Sequence, residues 1–143
     1  MKQPIAVAAP LAASLLGAAL LGASMPADAA SVAALRDQRR VLIVAAPADS
    51  DPQLALQRRA LAGWQQGAVD RDISVVEVVG TSVTGAADTA NALERRYALP
   101  SGRFAVVLIG KDGHVAMRSA KPVPAAMLEA TIDAMPMRRA GQR

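Results

Sequence analysis

Asp49, Ser50 and Asp51 crowd a short loop that runs directly into Pro52. Carboxylates at the start of a helix accept hydrogen bonds from its free N–H groups and complement its dipole, so the plain reading is capping. A ligand or cation site built from the same loop is the alternative. Two Asp flanking one Ser do not match the regular ligand spacing of a calcium loop. His114 is the single histidine and follows Lys111-Asp112-Gly113. A hydrolase reading would set Ser50 as nucleophile with His114 and Asp112 as base and orienting acid. No Gly-x-Ser-x-Gly elbow accompanies Ser50. The residues therefore read first as an exposed turn histidine and its neighbour. There is no Cys anywhere. Disulfides, thiol chemistry and thiolate metal sites are thereby excluded, and no metal or cofactor is expected.

The elements that must position these groups follow from hydrophobic patterning. Val41 to Ala46 is a continuous apolar run rich in β-branched residues, as expected of a strand buried on both faces. The loop 47–52 follows it. Asp51 is a good N-cap and Pro52 a good first helical residue. From Pro52 to Gln66 the spacing predicts one amphipathic helix closed by Gly67, with Leu54, Ala60, Leu61, Trp64 and Ala68 on its inner face. Trp64 therefore reads as core. Ile73 to Gly80 predicts a second strand, in which Glu77 marks an edge or strand-end position. Thr81 to Gly85 reads as a polar loop. Ala86, Ala90, Leu93 and Tyr97 recur at helical spacing and predict a helix ending before Pro100.

Phe104 to Gly110 predicts a third strand. Asp112-Gly113 signals a tight hairpin, and His114 to Ser119 is the return strand, with Arg118 pointing outward. Lys121-Pro122-Val123-Pro124 leads into a last helix whose Leu128, Ile132 and Met135 face the core and which Pro136 stops. The predicted order is β-α-β-α-β-β-α, an α/β domain with one mixed four-stranded sheet flanked by helices. The first two strands, joined through a helix, should be parallel.

Composition assigns the remaining segments. Of the 143 residues 52% are hydrophobic, and the formal charge is +4. Lys2 precedes an uncharged apolar run from Ile5 to Met25, followed by Ala27-Asp28-Ala29. Positive flank, apolar run and small-residue site predict a signal peptide over residues 1–29, cut after Ala29. An uncleaved anchor is the competing reading, since the run is long enough to span a bilayer. The folded domain is expected over residues 30–137 and a basic tail over 138–143, where Arg138, Arg139 and Arg143 account for most of the charge. Four dibasic pairs, Arg39-Arg40, Arg58-Arg59, Arg95-Arg96 and Arg138-Arg139, could form a surface for an acidic partner. Phe104, Trp64 and Tyr97 all read as core, so stacking residues for a nucleic acid are missing.

The order and local wording resemble the thioredoxin-like fold over about residues 35–136. Closer still, four blocks resemble the family of exported bacterial proteins known as domain of unknown function 4174. They are Arg40-Val41-Leu42-Ile43-Val44-Ala45-Ala46-Pro47, then Asp51-Pro52-x-Leu54-x-x-Gln57-Arg58, then Gly110-Lys111-Asp112-Gly113, then Ile132-Asp133-Ala134-Met135-Pro136-Met137-Arg138-Arg139. That family is similar to a peroxiredoxin-like module of some animal extracellular matrix proteins. The resemblance implies a thioredoxin-like fold and export, and no established activity. The redox enzymes of this fold place a catalytic Cys where the loop 47–52 stands, and a cis-proline directly before the strand that starts here near Phe104. Here the loop has no Cys, and the nearest proline is Pro100, with Ser101-Gly102-Arg103 intervening.

The expectation is an exported, redox-inactive module, periplasmic or secreted, that binds an envelope protein or other extracytoplasmic component. It needs no nucleic acid and no stable membrane insertion after cleavage. Its expected surface is Pro47, Asp49, Ser50 and Asp51 together with Pro100 and Arg103, which should be neighbours in this fold. The alternative is a non-thiol enzyme using polar groups of loop 47–52 or His114. A structural role in envelope stress is a third reading.

Overall fold

The structure, a computed structural model, describes residues 29–141. Residues 1–28 of the expected signal peptide and residues 142–143 of the basic tail lie outside those residues. A short 3-10 turn at Ala33–Leu35 precedes the first strand. The strands are β1 (Arg40–Ala46), β2 (Ile73–Val79), β3 (Ser82–Thr84), β4 (Ala105–Ile109) and β5 (Val115–Ser119). The helices are α1 (Pro52–Ala62), α2 (Gln65–Asp70), α3 (Ala90–Tyr97), α4 (Ala125–Asp133) and α5 (Pro136–Arg139).

The sheet order is β3-β2-β1-β4-β5. β1 and β2 are parallel, with Leu42 opposite Val75. The other pairings are antiparallel. β1 is central and buried along its whole length, as its unbroken apolar run requires. Period-two alternation divides the core into two layers. Val41, Ile43, Val76, Val107 and Ile109 pack with Leu93 and Tyr97 of α3 on one face. Leu42, Val44, Val106 and Leu108 pack with Leu54, Trp64, Leu128 and Ile132 on the other.

Five expectations are corrected. The sheet has five strands, because the segment read as a polar loop contributes β3, pairing Val78 with Val83. Glu77 is thus not at an edge. It lies between Val44 of β1 and Thr84 of β3, on the face that carries α1. There its carboxylate accepts from Arg58 Nη2 at 2.7 Å and Nε at 3.0 Å. The first helix breaks at Gly63–Trp64, and Gly67 sits inside α2. The Trp64 indole lies against Gly67, where a Cβ would collide with it. That ring is buried and donates from Nε1 to Glu129 at 2.7 Å. Pro136 starts α5 instead of ending the chain's order. Arg138, expected in a solvated tail, reaches Asp133 at 3.4 Å and the Asp70 carbonyl at 3.1 Å.

One buried tie was not foreseen. Gln57 of α1 has no exposed surface. Its Nε2 donates to the Val123 carbonyl at 3.1 Å, and its Oε1 accepts from the Val123 N–H at 2.7 Å. This amide fastens the first helix to the segment that leads into α4.

Candidate functional site

The loop after β1 and the loop after α3 meet at the same end of the sheet. Asp51 caps α1, its Oδ1 accepting from Gln53 N–H at 2.8 Å and Leu54 N–H at 3.4 Å. Across from it, α3 ends on Ala98 in the left-handed region, φ 51°. The Ala98 and Leu99 N–H groups both turn back to the Glu94 carbonyl. Leu99 is thereby buried and Pro100 half-buried beside it. Gly102, at φ 71°, turns the chain into Phe104 and β4.

Between the loops lies an open cleft of about 510 Å³. Pro47, Asp51, Pro100 and Arg103 line it together with Gln53 and the buried Phe104. A smaller recess of about 110 Å³ continues past Pro47, Pro100 and Arg103 toward Gly80. The walls are mainly apolar, with Arg103 and Arg118 as the cationic groups and Asp51 as the carboxylate. A third wall was not expected. Arg118, Ser119 and Ala120, at the end of β5, close the cleft. Arg118 sits opposite Val107, whose side chain faces α3. Its guanidinium donates to the Tyr97 carbonyl, tying the edge strand to the end of α3. The sequence signal for it was the outward arginine of the return strand. What was missing was the register.

The remaining predicted residues go elsewhere. Asp49 is exposed and turns to Arg58 at 2.9 Å, joining the Arg58–Glu77 pair. Hydrogen bonds to Glu77 and then Asp49 raise the Arg58 guanidinium above its ordinary pKa. Ser50 is exposed and lines none of the cleft. His114 lies at the far end of the β4–β5 hairpin. Asp112 Oδ1 accepts the His114 N–H at 3.0 Å, and Asp112 Oδ2 is 3.5 Å from Nδ1. Ser50 follows the C-terminal end of β1, whereas His114 lies beside its N-terminal end, since β4 is antiparallel to β1. Seven strand residues at ~3.3 Å each separate the two by roughly 20 Å. The Ser50–His114–Asp112 arrangement is therefore not assembled.

The dibasic pairs do not form one basic surface either. Arg40 is buried, Arg58 is ion-paired, and Arg138 is turned inward. Among the described residues no group of three or more His, Cys, Asp or Glu side chains could hold a metal. No helix among them is long and apolar enough to cross a membrane.

The family model described as a domain of unknown function (DUF4174) matches residues 31–141. The chain belongs to that family. No curated protein matches the sequence significantly. Among solved structures the chain is similar to a reduced 2-Cys peroxiredoxin from Plasmodium vivax, with TM-score 0.58 and 14% identity. That match covers 76% of this chain and 84% of the peroxiredoxin. A second similar structure is described as a malarial protein, with TM-score 0.51 and 16% identity, covering 66% and 94%. At such identities the likeness is one of fold, and the fold is thioredoxin-like. The peroxiredoxin is named for two cysteines, and this DUF4174 chain has none. At the N-terminus of the first helix the Asp51 carboxylate accepts the N–H groups.

Proposed function

We propose that this protein is an exported, redox-inactive thioredoxin-like module that binds a protein or other component of the cell envelope. Its binding surface is the cleft between loops 47–51 and 98–103. The observation that carries the reading is the cleft itself. The fold keeps the juxtaposition of its two loops and holds them apart with apolar walls and two arginines. The thiol that would do redox chemistry there is missing from the sequence. Export rests on the Lys2, apolar-run and Ala-x-Ala pattern of residues 1–29. The cleft is open on one side, which suits a polypeptide segment or an extended headgroup more than an enclosed small substrate.

The test is affinity capture from the envelope extract of the source cell. Wild type is compared with Arg103→Glu and with Ala120→Trp, which fills the mouth from an exposed position. A partner recovered by wild type and lost by both variants supports the reading. Equal recovery by all three, or export of none of the chain, contradicts it.

A further inference from the structure

A second cavity of about 400 Å³ lies at the opposite end of the sheet, between the β4–β5 turn and the segment joining α4 to α5. Three of the four sequence blocks singled out above meet there. Arg40 heads the first, Gly110 to Asp112 belong to the third, and Met135 to Met137 belong to the fourth. The cleft of the proposed function shares none of these residues.

Arg40 lines this cavity and is only 1% exposed. A buried guanidinium is costly unless its five N–H groups find acceptors. Its Nη1 donates to the Arg71 carbonyl at 2.8 Å, and its Nε–H has no acceptor. Among the described residues no carboxylate bonds it. Asp72 is taken by Lys111 at 3.0 Å. Asp133 is taken by Arg71 at 2.9 Å and Arg138 at 3.4 Å. Glu129 also goes to Arg71, at 3.4 Å. Arg40 is thus the surplus cation of a group in which every carboxylate is engaged. Desolvation, then repulsion from Arg138, lowers its pKa against the opposing attraction of Asp72 and Asp133. Lys111, itself buried, stands beside it on the cavity wall.

Asp112 and His114 of the turn also line the cavity, exposed and 3.5 Å from each other, and the rest of the lining is apolar. Val115 and Met137 are two of the few large hydrophobic side chains left exposed, and both face this space with Met135. A cationic floor under apolar walls suits a molecule with one negative end and a hydrocarbon body. The volume is at the small end of ligand pockets.

We propose that this cavity is a binding site for a small amphiphilic carboxylate, its anionic end at Arg40 and its apolar body between Val115 and Met137. The site is independent of the cleft and of the function proposed for it. The probes are octanoate and octanol, titrated into the full chain and followed by amide chemical shifts. Octanoate is expected to shift the amides of Lys111, Val115, Met135 and Met137 saturably, with a Kd of about 1 mM or below for a ligand of this size. Octanol, which lacks the charge, should bind at least tenfold more weakly. Met137→Glu places a like charge at the mouth on an exposed position, and should weaken octanoate at least tenfold with the fold intact. Arg40→Met removes the anchor and should abolish the preference for octanoate over octanol. Arg103→Glu, at the other end of the sheet, should leave the octanoate titration unchanged. Unshifted amides at those four positions, equal binding of octanol, or an unaffected Met137→Glu variant would each overturn the proposal.

Discussion

Replacing Gln57 with Leu should be among the most damaging changes that leave the cleft untouched. Both ends of this amide are bonded to the Val123 backbone, and neither residue is appreciably exposed. Leu has similar volume, so no large cavity forms. What is lost is the partner of one buried N–H and one buried C=O. Each orphaned group costs ~1–3 kcal/mol, so the change should cost about 2–6 kcal/mol in all. Gln57→Ala adds an unfilled space and should cost a further ~1–2 kcal/mol. Against a domain stability of roughly 5–15 kcal/mol, Ala approaches the limit of folding. The assay is urea unfolding followed by far-UV circular dichroism, with the slope checked for two-state behaviour. Gln57→Glu adds a test by pH. An ionised Glu still accepts from the Val123 N–H but repels the Val123 carbonyl, whereas a protonated one can donate to it. The buried carboxyl should have a folded pKa above its unfolded value of about 4.3. Its deficit against wild type is therefore smallest below that value and grows as pH rises toward the folded pKa. A Leu variant within ~0.5 kcal/mol of wild type would refute the reasoning, because typical surface changes already cost that much. A Glu deficit that does not change with pH would refute the assignment of the donor.

Three other outcomes follow from the same geometry. Lys111 and Arg71, through hydrogen bonds, hold the Asp72 and Asp133 carboxyls below the usual carboxylate range. Their stabilisation is present above pH ~4 and is lost as pH falls through the folded values, so the urea midpoint should drop in acid. Asp72→Asn, tolerated by the positive φ of 51°, should cost about 1–2 kcal/mol at pH 7 and approach wild type as acid protonates the folded carboxyl. Ala98→Gly should raise stability by about 1 kcal/mol in thermal unfolding, because Ala98 holds a left-handed conformation that glycine adopts freely. Asp51→Cys should give a thiol with pKa below the ordinary ~8.5, read from the pH dependence of iodoacetamide alkylation, since two helix N–H groups await an anion there.

What the sequence disclosed depended on whether the signal was local. The buried run of β1, the Asp51-Pro52 helix start and the apolar strand β4 all carry their pattern within a few residues, and the structure has them at those places. The neighbourhood of loop 47–52 and the segment 100–103 followed from the resemblance to the thioredoxin-like fold, and the structure lines one cleft with Pro47, Asp51, Pro100 and Arg103. β3 was hidden because Ser82-Val83-Thr84 has one apolar residue and its pairing is supplied by β2. Gln57 was hidden for a related reason. A polar side chain on an inner helix face is satisfied only by a backbone group 66 positions away. Glu77 was assigned to an edge because its partner, Arg58, sits on another element. The helix break at Trp64 reflects an indole packed over Gly67 and bonded to Glu129, and no local propensity encodes that. The third wall of the cleft awaited the β4–β5 register, which places Arg118 on the α3 face.

The central claim, that the cleft is where this protein meets its partner, is tested most directly by photo-cross-linking from chosen positions. A photoreactive residue is placed at Gln53 or Ser119, which line the cleft, and at Val69, an exposed position outside it. The account predicts one discrete adduct in envelope preparations from both cleft positions and none from Val69. The same adduct from Val69, or no adduct from either cleft position in exported protein, would contradict it.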